Sequence, residues 1–162
     1  MLLLTGDAKY ADVMERVFYN SMLSAISLDG DHYFYTNPLR RGGPEVPLLS
    51  QDAAQRWATT TPATPVHCFC CPPSLARTLA QLHTYAYGVS EDAAWVHLYG
   101  SSRLDTQLPG GGAIKLTQTT DYPWDGRISI RIEKAPEKEM ALRPRIPGWA
   151  GTATVTCNGK AV

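Results

Sequence analysis

Cys68, Cys70 and Cys71 stand within four residues, in the run His67-Cys68-Phe69-Cys70-Cys71-Pro72-Pro73, directly ahead of a segment that reads as a helix. Three soft sulfur donors so closely spaced point to metal ligation or to a reactive thiolate. Either use needs the thiolate, so the surroundings must favour negative charge. A helix starting at Pro73 would put Cys70 and Cys71 at its positive end, where unpaired amide hydrogens stabilise anions. A bound zinc ion would go further and hold both sulfurs deprotonated at neutral pH. The opposing reading is simple burial, since free cysteine is among the most buried residue types; three in four residues weigh against it. One short loop does not surround a tetrahedral ion unaided, so at least one ligand must come from elsewhere.

Other residues offer less. His67 is a ligand or base by its position, but loop histidines are commonly surface or packing residues. Tyr33, Phe34 and Tyr35 would line a sugar site or fill a core. Tyr122-Pro123-Trp124-Asp125-Gly126 would stack on a saccharide or plug a turn. Arg40-Arg41 reads as solvated loop charge, and Cys157 as an inert packing thiol.

The elements that must position these groups follow from periodicity. Asp7 is a suitable N-cap, and Tyr10, Val13, Met14, Val17, Phe18 and Met22 give one buried face to a helix over residues 8 to 25. Asp29-Gly30 predicts a hairpin between residues 25–28 and 32–35. Residues 37–65 are rich in Gly and Pro and read as a long irregular stretch. A second helix starts at Pro72-Pro73 and runs through Leu75, Leu79, Leu82 and Ala86 to Gly88. From about residue 94 the period becomes alternating: Val96 and Leu98, then Ile114 and Leu116, then Ile128, Ile130 and Ile132. Residues 94–162 therefore read as antiparallel strands of a β-sandwich, with a final Asn158-Gly159 turn that leaves no room for a returning strand. The expected organisation is mixed α and β, with a helical part over 1–90 and a partial sandwich over 91–162.

Bulk properties narrow the partners. The 162 residues carry 15 basic and 15 acidic side chains, so no net positive field recruits nucleic acid or an anionic membrane. The opening Leu2-Leu3-Leu4 run is too short for a signal-peptide core or a membrane span. Clustered cysteines do not form a secreted disulfide framework, and a reducing compartment, the cytoplasm, is the simpler expectation.

Four stretches taken in order resemble the β-L-arabinofuranosidase family of glycoside hydrolases. They are residues 4–12 (Leu4-Thr5-Gly6-Asp7-Ala8-Lys9-Tyr10-Ala11-Asp12) with Glu15 and Tyr19-Asn20; Leu28-Asp29-Gly30 with Phe34-Tyr35-Thr36-Asn37-Pro38-Leu39; Cys68-Phe69-Cys70-Cys71-Pro72-Pro73; and Tyr122-Pro123-Trp124-Asp125-Gly126 with Arg145-Ile146-Pro147-Gly148-Trp149-Ala150. The resemblance implies the last helices of an (α/α)6 catalytic barrel followed by β-sandwich structure. It implies retaining hydrolysis of terminal arabinofuranosides, a carbohydrate partner and a zinc cofactor, with Cys70 as nucleophile and Cys70 and Cys71 as zinc ligands. Tyr35 would touch substrate. The remaining ligands and the acid/base glutamate lie, in the family, upstream of the position that Met1 matches, so the chain by itself is expected to be inactive. Ser74, Arg40 and Pro144 depart from the family pattern, and Pro144 removes a donor from an expected strand. A noncatalytic module, with a structural zinc site and a carbohydrate- or subunit-binding sandwich, is the competing reading.

Overall fold

The computed structural model describes residues 1–26, 28, 30, 32–34, 57–59 and 70–162. It divides into two compact units, residues 1–13 with 83–162, and residues 14–82.

The first unit opens with a single turn, α1 (Leu2–Thr5), which stops because Gly6 adopts the left-handed conformation (φ 66°) and donates its amide to the Leu2 carbonyl. Asp7 then caps α2 (Ala8–Arg16), its Oδ1 accepting from the Lys9 amide at 3.1 Å, as the sequence predicts. The expected buried face forms only in part: Tyr10, Met14, Phe18 and Met22 are half-buried, but Val13 is 60% exposed and Val17 48%, whereas Ala11 is fully buried. Close approach at a small alanine and an ionic contact at Asp12 orient this helix, and they override the spacing of its larger apolar side chains.

The second predicted helix is broken. After Ala80 the chain turns at Gln81–Leu82, forms α4 (His83–Ala86) and enters β3 (Tyr87–Val89), so β-structure begins ahead of the expected residue 94. Pairing decides this, because β3 lies antiparallel to β4 (Ala93–Val96) with Tyr87 opposite Val96 and Val89 opposite Ala94. Helical spacing up to Gly88 loses to a ready strand partner. On the other side of β4 lies β8 (Ala141–Pro144), which runs parallel to it, a departure from the all-antiparallel expectation. Pro144 fits because β8 is an edge strand. The amides of Ala141 and Arg145 donate inward to Asp92 and Val96, and by strand alternation position 144 faces outward, where no donor is needed.

A second sheet is the antiparallel meander β5 (Ser102–Gln107), β6 (Ala113–Thr120) and β7 (Ile128–Lys134). Along β6 the alternation is as read from sequence, with Ile114, Leu116 and Gln118 buried. Ile114 and Leu116 join Ala94 and Leu108 in the core, covered by Tyr87, Leu104, Ile130, Met140 and Leu142. The chain ends in a small hairpin, β9 (Thr156–Cys157) and β10 (Lys160–Ala161), so a short returning strand does fit after the Asn158-Gly159 turn. Both turn residues have positive φ, 50° and 80°, which this tight connection requires.

In the second unit, the helical path continues from α2 as a π-helical segment (Val17–Met22) and a 3-10 turn (Leu23–Ala25). The Leu23 amide reaches back five residues to the Phe18 carbonyl, the signature of the wider turn. Helical structure thus covers residues 8–25, in three forms. Strand β1 (His32–Phe34) pairs antiparallel with β2 (Trp57–Thr59), a partner drawn from the stretch read as irregular; residues 27, 29, 31 and 35 of the expected hairpin lie outside the described residues. Helix α3 (Cys71–Ala80) lies beside β1. Among the described residues no helix is long and apolar enough to cross a membrane.

Candidate active site

The two cysteines that carry the chemical argument stand at the start of α3. Cys70 is the N-cap and Cys71 the first helical residue, so the helix begins earlier than the Pro73 expected from sequence. Its first internal bond runs from the Ser74 amide to the Cys70 carbonyl at 3.2 Å. A helix start normally offers four unpaired amide hydrogens, but Pro72 and Pro73 occupy two of those positions and have none. The amide contribution to thiolate stability is therefore smaller here than at an ordinary helix start, and a cation has correspondingly more to supply.

Cys70 is exposed, Cys71 is half-buried, and neither is in a disulfide. Their sulfurs lie 3.5 Å apart, well outside the roughly 2.05 Å of a disulfide. Two sulfurs bound to one tetrahedral zinc at about 2.3 Å each would be about 3.8 Å apart. The pair thus fits two corners of such a site. Among the described residues no group of three or more His, Cys, Asp or Glu could hold a metal ion. His67, Cys68, Arg40 and Tyr35 lie outside the described residues; Tyr35 directly follows β1 in sequence.

Two weaker readings resolve differently. Cys157 is exposed on β9, which corrects its assignment as a buried packing thiol. Trp124 is 92% exposed and plugs nothing. Its neighbour Tyr122 packs edge-on against Tyr99 at 5.7 Å and stacks on Trp149 at 6.3 Å.

Sequence reasoning missed a buried ionic cluster in the first unit. The Arg145 side chain is 2% exposed and contacts Asp12 Oδ1 through Nη1 at 2.5 Å. Its Nε donates to the His97 carbonyl at 2.7 Å, and its guanidinium lies 5.6 Å from the Tyr99 ring centre. Asp12 Oδ2 accepts from the Gly148 amide at 3.1 Å, and the Tyr99 hydroxyl donates to the Arg145 carbonyl. His97 is buried beside this cluster; burial first, and the Arg145 charge second, push its imidazole below the ordinary value of 6.5. The available signal was that Asp12 and Arg145 belong to two of the four recognised stretches. Asp12 and Arg145 are each held by several partners within this cluster, an arrangement that holds structure.

Residues 1–84 match the β-L-arabinofuranosidase GH127 catalytic domain, and residues 93–162 match the GH127 middle domain. The chain is 30% identical over 168 aligned positions to the non-reducing end β-L-arabinofuranosidase of Bifidobacterium longum subsp. longum, covering 99% of this chain and 24% of that protein. It superposes along its whole length on a glycoside hydrolase of solved structure (TM-score 0.83, 44% identity, 26% of that chain). It does so equally on a GH127 β-L-arabinofuranosidase from Geobacillus stearothermophilus T6 (TM-score 0.81, 42% identity, 25% of that chain). The chain spans about a quarter of the length of these relatives. With both matched domains in order and nearly every residue aligned, the chain belongs to the GH127 β-L-arabinofuranosidase family.

Proposed function

We propose that these residues supply the nucleophile of a retaining glycoside hydrolase that releases terminal β-L-arabinofuranose. The observation that carries the reading is the catalytic-domain match over residues 1–84, with the adjacent thiols of Cys70 and Cys71 inside it. Residues 1–90 are read as the last helices of an (α/α)6 barrel and residues 91–162 as the start of a β-sandwich. Cys70 and Cys71 would hold zinc, which when bound keeps the sulfurs ionised at neutral pH. Tyr35 is assigned to the substrate side of the site.

The chemistry expected of Cys70 is a displacement. Its sulfur attacks the anomeric carbon, a C–S bond forms as the glycosidic C–O bond breaks, and the leaving oxygen takes a proton from a general acid outside these residues. Water then attacks the same carbon from the opposite face and the thiolate departs, so configuration is retained overall. Exposure of Cys70 suits this role, since a buried sulfur could not reach a sugar.

The test uses a protein carrying the upstream barrel of a family member ahead of these residues, assayed on an aryl β-L-arabinofuranoside. Cys70→Ser should lower turnover by about a thousandfold or more, because a hydroxyl is a far weaker nucleophile than a thiolate. Cys71→Ser should lose activity together with zinc content. Near-normal turnover by the Cys70→Ser protein with zinc in place would assign the nucleophile elsewhere and sink the reading.

A further inference from the structure

Two features decide which residues move together. The catalytic-domain match extends from residue 1 to residue 84, yet residues 1–13 pack with residues 83–162. What holds them there is specific. Leu3 and Leu4 are each 84% exposed and Val13 60%, so burial of large apolar side chains contributes little. Ala11 is buried but small. Two specific attachments stand out among the described residues: Gly6, against which the Trp95 ring packs so closely that a Cβ would come within 2.7 Å, and Asp12, whose two carboxylate oxygens are taken by Arg145 and Gly148. A helix of nine residues such as α2 is too short to persist alone in water.

We propose that the Asp12–Arg145 pair fastens residues 6–13 to the β-structure, so that this segment opens and closes with β4 and β8 and not with the rest of the catalytic-domain match. The family boundary and the cooperative boundary then differ, the second falling inside α2. Arg145 suits the task because it is anchored three ways on the β side: by its own amide to the Val96 carbonyl, by Nε to the His97 carbonyl, and by the Tyr99 hydroxyl on its carbonyl. These contacts hold Arg145 independently of Asp12. Breaking such a pair on one side leaves a guanidinium buried without its counter-charge, which is far worse than losing a surface contact.

Native-state hydrogen exchange of the 162-residue chain across low urea concentrations tests the proposal. Amides of residues 10–13 should share the opening free energy and urea dependence of those in β4 and β8, and differ from those of α3. In Asp12→Asn the same amides should exchange at least about tenfold faster, while those of β6 stay unchanged. If residues 10–13 instead track α3, or if Asp12→Asn leaves their exchange as it was, the fastening is wrong. Should Asp12→Asn fail to fold, the unsubstituted chain still decides, since grouping with β4 and β8 supports the proposal and grouping with α3 overturns it.

Discussion

The start of α3 and the surroundings of Arg145 place reactive groups in opposite environments. At α3 the Cys70 sulfur is exposed, and prolines remove half of the amide donors that usually stabilise an anion there. Around Arg145 the charge is almost fully enclosed, and carboxylate, carbonyl and aromatic partners surround it. The difference teaches how to separate chemistry from architecture. An exposed group is accessible to a metal or a substrate, whereas a group enclosed by its own chain is held in place by it.

The contrast predicts that stability depends on the second region and hardly at all on the first. Arg145→Met should have the largest effect, lowering unfolding stability by about 3–5 kcal/mol, because Asp12 loses its counter-charge and the guanidinium's contacts with the His97 carbonyl and the Tyr99 ring are lost with it. A urea midpoint close to that of the unsubstituted chain would show that the cluster is not structural. Gly88→Ala should come next, at about 1–3 kcal/mol, since an added Cβ would lie 2.6 Å from Nε2 of the buried His97 and force that ring to shift.

A pH dependence of smaller size sharpens the same comparison. His97 has its imidazole pushed down in the folded chain, first by burial and then by Arg145. The unfolded chain therefore takes up a proton near pH 6.5 before the folded one does. The His97 contribution to stability is fully present above pH 6.5 and is lost as pH falls through the lower folded value, with a limiting slope of about 1.4 kcal/mol per pH unit. Thermal midpoints measured from pH 8 downward should bend near pH 6.5, and His97→Gln should flatten that bend. The smallest effect is expected at α3, where Cys70→Ser, a swap of similar size at an exposed position, should change unfolding stability by less than about 0.5 kcal/mol. A large loss there would erase the distinction between the regions.

Local chemistry made several elements legible in advance. Asp7 as a cap, the alternation of Ile114 and Leu116, and the Asn158-Gly159 turn are each properties of a few neighbouring residues. The adjacent thiols were equally plain, because two cysteines in succession have no partners to wait for. What lay beyond reach depended on distant segments. The period of residues 71–88 is helical, yet Tyr87–Val89 became a strand once β4 lay beside it. His32–Phe34 pairs with Trp57–Thr59, a segment more than twenty positions away that no local pattern marks as a strand.

By itself the sequence determined the family, the helical character of residues 8–25, the alternating strands after residue 94 and the placement of two sulfurs at a helix start. Only the tertiary structure decided that α2 turns Ala11 inward and leaves Val13 to solvent, and that Asp12 meets an arginine 133 positions away. Periodicity is set by side chains within a turn or two of one another. A buried ion pair forms wherever the fold brings opposite charges together out of water, and no local pattern of residues records that.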